Sequence, residues 1–163
     1  MQNFSQLLQR LADAGLEFVI VGGYAAVAHG SFQLTRDVDI CAVLTEADVA
    51  KLRQALGDWN PKHRMTPQRL SFLLYPPVGQ PVKNLYLQTD MGVIDVISSV
   101  LGVGDFQRLN TKAEELEVDG RSFRVISLDD LITAKEAMGR EKDLLTAKEL
   151  RAIAAKRRER DRG

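Results

Sequence analysis

The stretch that decides the fold is residues 16–40, LEFVIVGGYAAVAHGSFQLTRDVDI. An apolar, β-branched run ends at Val21 and predicts a strand, two glycines follow directly, and residues 24–29 are predicted to form a short helix. After a polar link, apolar residues alternate with a carboxylate from Val38 to Leu44, which predicts a second strand. This succession of strand, helix and strand indicates a mixed α/β fold.

Two carboxylates lie at the start of the second predicted strand. Asp37 and Asp39 are two residues apart, so on a strand both side chains point to one face, and Val38 and Ile40 point to the other. Like charges this close repel each other. Such a pair persists on an ordered strand if a cation lies between the carboxylates or if that face is fully solvated.

A third carboxylate, Asp95, interrupts the apolar run Val93-Ile94-Asp95-Val96-Ile97. Apolar residues on both sides predict a strand that is buried on both faces. An ionised carboxylate in such a strand costs several kcal/mol unless it is paired. Asp95 is therefore predicted to bind a metal ion, to pair with a buried arginine or to cap a backbone amide.

The remaining elements follow from periodicity and caps. Helices are predicted at 3–14, from a Thr45 cap to Leu56, from a Ser127 cap to Met138, and from Glu141 onward. Further strands are predicted at 83–89, 93–98, 114–118 and 122–126, with hairpin turns at 90–92 and 119–120. Five prolines make residues 59–82 irregular, with 69–75 as a candidate strand.

Length and composition exclude several classes of protein. The chain has 163 residues, 45% of them hydrophobic, so it can bury a core as one domain. The single cysteine, Cys41, excludes an internal disulfide and a cysteine-rich zinc site. Because no apolar run reaches the ~18 residues of a membrane span, and residues 1–10 lack the features of a signal peptide, we expect a cytoplasmic protein with no membrane partner.

Charge is balanced over the whole chain but not along it. Lys plus Arg and Asp plus Glu number 22 each, so the net charge favours no class of partner. From Arg151 onward, however, basic residues outnumber acidic ones. This basic tail is predicted either to be a solvated helix end or to contact the phosphate backbone of an RNA. We expect a core at 1–126 and a helical segment with the basic tail at 127–163, in the same compact unit.

Three motifs in this order resemble the signature of the nucleotidyltransferases of the DNA polymerase beta type. They are Val21-Gly22-Gly23, then, after thirteen residues, Asp37-Val38-Asp39-Ile40, and finally Ile94-Asp95-Val96. Thr35-Arg36 before the aspartate pair is similar to the minimal members of that superfamily.

The C-terminal third is similar to bacterial abortive-infection nucleotidyltransferases, several of which are toxins of toxin–antitoxin pairs. The similarity lies in a helix that carries Lys135 and in the segment Arg140-Glu141-Lys142-Asp143. That pattern often has a second aspartate three residues later, where this chain has Thr146.

The resemblance implies a fold, a reaction and a set of site residues. The fold is a nucleotidyltransferase-type mixed open sheet flanked by helices, with a small C-terminal helical part. The reaction moves a nucleoside monophosphate from a nucleoside triphosphate to an acceptor hydroxyl and releases pyrophosphate. Asp37, Asp39 and Asp95 would hold Mg²⁺ or Mn²⁺ and, with Lys135, form the catalytic set. The nucleotide-binding set would comprise Gly22, Gly23, Arg36, Lys135, Arg140, Lys142 and Asp143.

The partners implied are a nucleoside triphosphate, an acceptor and, for a toxin, a cognate antitoxin protein. The acceptor is left open among an RNA such as tRNA, a protein and a small molecule such as an aminoglycoside. A second hypothesis is a catalytically silent module of the same fold that binds a nucleotide or a protein. The presence of all three carboxylates favours the enzyme, and a purely structural α/β domain would leave them unexplained.

Overall fold

The computed structural model describes residues 3–163 and contains a seven-stranded mixed sheet flanked by helices. The helices are α1 (Phe4–Asp13), α2 (Gly22–Ala28), α3 (Glu46–Leu56), α4 (Phe106–Lys112), α5 (Leu128–Met138) and α6 (Glu141–Arg162). The strands are β1 (Val19–Val21), β2 (Asp37–Cys41), β3 (Lys62–His63), β4 (Leu85–Thr89), β5 (Gly92–Ile97), β6 (Ser99–Val100), β7 (Gly104–Asp105), β8 (Glu114–Val118) and β9 (Arg121–Val125). The mixed α/β fold predicted from the sequence is confirmed.

The carboxylate-bearing strands lie in the middle of the sheet. Its strand order is β3-β4-β5-β2-β1-β9-β8, and β6 with β7 forms a separate small ribbon. Strands β2 and β5 are parallel, as are β1 and β9, whereas the other neighbours in the sheet are antiparallel. Because β2 and β5 have neighbours on both sides, their backbones are held rigidly and their side chains have fixed directions.

Side-chain caps begin the helices where the sequence predicted them. The Thr45 hydroxyl accepts from the amide of Asp48, and the Ser127 hydroxyl accepts from that of Asp130, each at 3.1 Å. These bonds satisfy amides that have no partner inside the helix. The predicted helix ends at Leu56 and Met138 are also confirmed.

One hydrophobic core joins the sheet to the C-terminal helices. Its buried cluster includes Leu7 and Leu11 of α1, Ile20 of β1, Leu131 of α5 and Leu150 of α6. The last two helices are therefore packed into the same core as the strands. Within residues 3–163, none of the helices combines the length and the apolar character needed to cross a membrane.

The candidate strand at 69–75 is wrong, because this segment forms turns with a single bridge from Ser71 to Lys62. Its backbone bonds to β3 and the preceding residue are few: the Leu70 carbonyl accepts from the amide of His63 at 2.8 Å, and the Phe72 amide donates to the carbonyl of Pro61 at 2.9 Å. Arg53 on α3 donates through Nε to the carbonyl oxygen of Phe72 at 2.8 Å and through Nη2 to that of Pro76. The Phe72 ring is fully buried, and the Arg53 guanidinium lies 5.0 Å from its centroid.

The basic tail is helical as far as Arg162, and one of its arginines joins α6 to the core. Arg157 donates to a carboxylate oxygen of Glu114 at 2.9 Å and to Nδ1 of His29 at 3.0 Å. The other ring nitrogen, Nε2, lies 2.7 Å from the carbonyl oxygen of Ile126. Since a carbonyl only accepts, Nε2 carries the proton and Nδ1 is an acceptor, so the packed ring is neutral.

This arrangement predicts that stability falls in mild acid. Burial is the main cause that holds the pKa of His29 below its ordinary value of 6.5, and Arg157 adds to it against the opposing effects of Ile126 and Glu114. The unfolded chain therefore binds the proton first as the pH falls below about 6.5, and the free energy of unfolding decreases from there toward pH 5. Urea unfolding at several pH values should give a shallower decrease for His29→Gln than for the wild type. Equal slopes for the two proteins would contradict this role of His29.

Candidate active site

Three carboxylates converge at the centre of the sheet. Asp39 lies opposite Asp95 in the parallel register of β2 and β5, and Asp37 lies two residues before Asp39 on the same face of β2. One oxygen from each of the three carboxylates lies within 4.8 Å of the other two. Carboxylate oxygens are the ligands that Mg²⁺ and Mn²⁺ prefer, so this cluster has the chemistry and the spacing to hold a divalent cation.

The electrostatics of Asp39 also favour the binding of a cation. Burial, followed by the nearby carboxylates of Asp37 and Asp95, raises the pKa of Asp39 to about 7. Lys135 and Arg64 act in the opposite direction without cancelling the increase. A group with its pKa near neutrality is poorly stabilised as an anion, and a cation between the three carboxylates would relieve that penalty.

The first glycine of the Gly22-Gly23 pair makes room for Asp39. Gly22 has a φ of +69°, and a Cβ atom at this position would overlap a carboxylate oxygen of Asp39. Gly23 lies in α2 without a positive φ, and a Cβ there would lie 3.1 Å from the Thr35 hydroxyl. The sequence analysis assigned both glycines to nucleotide binding. Gly22 has a structural role as well, because its lack of a side chain leaves room for the carboxylate of Asp39.

Arg64 is a site residue that the sequence analysis missed. Its Nε lies 3.2 Å from Oδ1 of Asp95, and its Nη2 lies 2.5 Å from Oδ2, so the pair is bidentate. The Arg64 amide donates to the carbonyl oxygen of Tyr86 at 3.0 Å, which places the residue beside β4. Arg64 follows a strand of two residues in the proline-rich segment, and no periodicity in the sequence marks such a position.

Asp95 therefore combines two of the alternatives left open by the sequence: it is paired with an arginine and it belongs to the carboxylate cluster. Its pKa is raised, chiefly by burial, and the hydrogen bond from Arg64 opposes that increase. The arginine side chain is 28% exposed, whereas that of Asp95 is 11% exposed, so the pair lies at the edge of the buried region. Each carboxylate oxygen has two acceptor sites, and the Arg64 bonds leave one of them free on each oxygen.

Most of the predicted nucleotide-binding residues surround one cavity, of about 420 Å³, which we call the polar cavity. It is lined by Gly23, Gln33, Leu34, Thr35, Arg36, Asp37, Asp39, Lys135, Arg140, Lys142, Asp143 and Thr146. Among residues 3–163, no carboxylate lies within salt-bridge distance of Arg36 or Lys142. These two cations are therefore available for an anionic ligand in the cavity.

Asp143 holds two further cations at the wall of the polar cavity. It is almost fully buried, accepts from Arg140 Nε at 2.6 Å, and lies 3.7 Å from Lys135 Nζ. The hydrogen bond from Arg140 is the main cause that lowers the pKa of Asp143. Lys135 thus lies between this fixed carboxylate and Asp39, on whose pKa it also acts.

The loop between α2 and β2 is anchored to α6 at the far wall of the polar cavity. Glu149 accepts from the Ser31 hydroxyl at 2.6 Å and from the Phe32 amide at 3.1 Å. Thr146 stands where the pattern that the C-terminal third resembles often has an aspartate, and its hydroxyl lies 2.8 Å from the side-chain oxygen of Gln33. Thr146 therefore contacts the loop that carries Arg36, and its hydroxyl also lies 2.9 Å from the carbonyl oxygen of Lys142.

The two glycines should respond differently to the same substitution. Gly22→Ala places a Cβ in a left-handed backbone conformation and against Asp39, so we expect a loss of about 2–4 kcal/mol in the free energy of unfolding. Gly23→Ala lies in helical backbone with one close hydroxyl, and its stability should stay within about 1 kcal/mol of the wild type. Chemical denaturation of both variants measures the difference. Equal losses would show that Gly22 does not make room for Asp39.

Removal of the Arg64 charge should strengthen cation binding while it weakens the metal-free fold. In Arg64→Gln, Asp95 loses its partner beside two other carboxylates, so the melting temperature without metal should fall. The affinity for Mn²⁺ should rise about tenfold, because one positive charge has left a partly exposed site. Arg10→Gln is the control, since Arg10 pairs with the exposed Asp58. Unchanged Mn²⁺ affinity in Arg64→Gln, measured by calorimetry, would contradict the assignment of the cluster as a cation site.

No protein-family model matches the sequence, and no curated protein matches it significantly.

Three solved structures nevertheless share its fold over nearly the whole chain. The lincosamide antibiotic adenylyltransferase LnuA, bound to lincomycin, has a TM-score of 0.61 at 18% identity over 93% of this chain and 98% of its own. TM1012 of Thermotoga maritima, named as a nucleotidyltransferase, has a TM-score of 0.54 at 16% identity over 91% and 94%. ANT(2")-Ia in complex with adenylyl-2"-tobramycin has a TM-score of 0.52 at 14% identity over 91% and 95%. The chain therefore has the nucleotidyltransferase fold.

Proposed function

We propose that this protein is a metal-dependent nucleotidyltransferase that transfers a nucleoside monophosphate from a nucleoside triphosphate to a hydroxyl group. The observation that carries the proposal is the convergence of three carboxylate oxygens within 4.8 Å. This cluster opens onto a cavity lined by two cations, Arg36 and Lys142, that have no carboxylate partner within residues 3–163. Transfer from a triphosphate requires carboxylates that bind a metal ion and, beside them, basic side chains that bind the phosphates. The site contains both.

Each side chain has a role that follows from its place. A divalent cation bound here would offset the charge of the triphosphate and polarise its α-phosphorus. Asp37 and Asp39 would hold that cation, and Arg36 and Lys142 would contact the β- and γ-phosphates. Lys135, held between Asp39 and Asp143, would stabilise the charge that grows on the α-phosphate oxygens.

Asp95 would complete the cation site and accept the proton of the attacking hydroxyl. Burial raises its pKa, which makes it a stronger base than an exposed aspartate. The bidentate bond from Arg64 would fix the orientation of this carboxylate, so that the same free acceptor site always faces the hydroxyl. Arg64 is thus a positioning residue in this proposal.

The structural neighbours support the choice of donor and acceptor. LnuA and ANT(2")-Ia are an adenylyltransferase and a protein solved with an adenylylated antibiotic. We therefore expect ATP to be the preferred donor and a small hydroxylated molecule to be the acceptor. An RNA or protein acceptor and a toxin role are predictions of the sequence resemblance, and the assay below tests the two acceptors directly.

The assay supplies each α-labelled nucleoside triphosphate with Mg²⁺ and one acceptor at a time: lincomycin, tobramycin, total tRNA or a mixture of cellular proteins. We expect label from ATP to appear in a small-molecule product. Asp39→Asn should reduce transfer on the order of 10²-fold or more, because it removes a cation ligand. Asp58→Asn, a change of the same type at an exposed position, should be as active as the wild type.

Melting temperatures with and without Mg²⁺ test the cation site without an acceptor. Asp39→Asn removes one of three repelling charges, so its melting temperature without metal should rise, and added Mg²⁺ should no longer increase it. Label in no fraction, together with equal Mg²⁺ responses for the wild type and Asp39→Asn, would refute the proposed function.

A further inference from the structure

A second cavity, of about 370 Å³, borders the same carboxylates, and we call it the apolar cavity. One wall is formed by Tyr86, Ile97 and the 99–101 segment, and the opposite wall by Leu131, Ala134 and Met138 of α5. It shares Asp39, Lys135 and Arg140 with the polar cavity. The proposed roles of the polar cavity leave this second space without a ligand.

The two cavities lie on opposite sides of Asp39 along the strand direction. The polar cavity reaches Asp37, the first residue of β2, whereas the apolar cavity reaches Ile97, the last residue of β5. In the parallel register Asp37 is level with Val93, Asp39 with Asp95, and Cys41 with Ile97. Asp39 lines both cavities and is level with Asp95, so it lies at the boundary between the two spaces.

This placement matters because phosphoryl and nucleotidyl groups are displaced in line. The attacking oxygen and the leaving oxygen lie on opposite sides of the phosphorus. With the α-phosphorus at Asp39 and Lys135 and the leaving pyrophosphate in the polar cavity, the attacking hydroxyl must come from the side of the apolar cavity. We propose, on the basis of the function proposed above, that the apolar cavity binds the acceptor, a compact molecule with an apolar face and a hydroxyl group.

The proposed transfer forms one bond, breaks one bond and moves one proton. The acceptor oxygen forms a bond to the α-phosphorus, and the bond from that phosphorus to the oxygen bridging to the β-phosphorus breaks. Its electron pair leaves with pyrophosphate, and the hydroxyl proton passes to Asp95 and then to solvent. Tyr86, a wall residue, is the cross-strand partner of Asp95, so a hydroxyl at that wall lies on the same row of side chains as the base.

The lining decides the chemical class of the acceptor. Most of the wall is aliphatic, and the two cations among its lining residues, Lys135 and Arg140, lie at the end shared with the polar cavity. An RNA acceptor would bring further phosphates against walls that are mostly aliphatic, and both lining cations lie at the end that the triphosphate would occupy. The volume also suits a small molecule better than a folded protein segment, because ligand cavities for such molecules measure roughly 300–1,000 Å³.

Two substitutions would fill the cavity from different walls. Ala134→Leu adds three carbon atoms on α5, and Leu101→Trp enlarges a side chain that is 61% exposed and so is tolerated more easily by the fold. Ala152→Leu makes the same change as the first variant at an exposed position of α6, away from both cavities. It controls for the effect of a larger side chain on a helix.

The experiment measures two ligands separately. Calorimetry gives the affinity for the α,β-methylene analogue of ATP with Mg²⁺, and ligand-observed NMR with this analogue present gives the affinity for cyclohexylmethanol, a ring with one hydroxyl. We expect saturable binding of cyclohexylmethanol to the wild type and to Ala152→Leu. Its affinity should fall by at least about tenfold in both filled variants, because the added atoms occupy the space of the ring. The affinity for the ATP analogue should stay within about twofold in all four proteins.

The outcomes separate the two proposals. Equal binding of cyclohexylmethanol to filled and unfilled proteins, or its failure to bind the wild type, would overturn the acceptor site. A loss of affinity for the ATP analogue in the filled variants would overturn it as well and would assign the cavity to the nucleoside. If the ATP analogue binds none of the proteins, the proposed function fails, and with it the acceptor assignment that rests on it. The NMR titration repeated without analogue then still reports whether the cavity binds an apolar alcohol.

Discussion

The repulsion among Asp37, Asp39 and Asp95 is the interaction on which the rest of the site depends. Folding brings three carboxylate oxygens within 4.8 Å on the central strands of a sheet, where burial makes each charge more costly. The pKa of Asp39, raised to about 7, shows that nearby side chains compensate for this arrangement only in part. A cation bound between the three carboxylates would relieve the repulsion that remains.

Two cations on separate parts of the chain, Arg64 and Lys135, offset part of the repulsion among the carboxylates. Each of them is oriented by a further contact. Arg64 lies in the proline-rich segment, and its backbone amide holds it beside β4 by donating to the carbonyl oxygen of Tyr86. Lys135 lies on α5 and forms a salt bridge with the buried Asp143, which belongs to α6. Because α5 and α6 are packed into the same core as the sheet, the position of Lys135 relative to Asp39 is set by the whole fold. The polar cavity is therefore bordered by elements of the folded core, which suits the positioning that the proposed nucleotidyl transfer would require.

The sequence predicted the parts of the structure that depend on local chemistry. The capped helices, the hairpin at Asp119-Gly120 and the strand that carries Asp37 and Asp39 all follow from patterns within a few residues. The partner of Asp95 could not be predicted, because Arg64 is distant in sequence and lies in a segment without periodicity. Residues 69–75 were wrongly predicted as a strand, because the segment turns after one bridge to Lys62 and the carbonyl of Phe72 accepts from Arg53, a residue of another element. The apolar cavity likewise combines residues from several elements, and its position opposite the polar cavity exists only in the folded sheet.

The most direct test of this account is the anomalous diffraction of Mn²⁺ in a crystal of the protein grown with the α,β-methylene analogue of ATP. The account predicts a manganese peak in contact with carboxylate oxygens of Asp37 and Asp39, with the β- and γ-phosphates directed toward Arg36 and Lys142. The apolar cavity should then remain free of the analogue. Manganese absent from the carboxylates, or the phosphates directed into the apolar cavity, would contradict it.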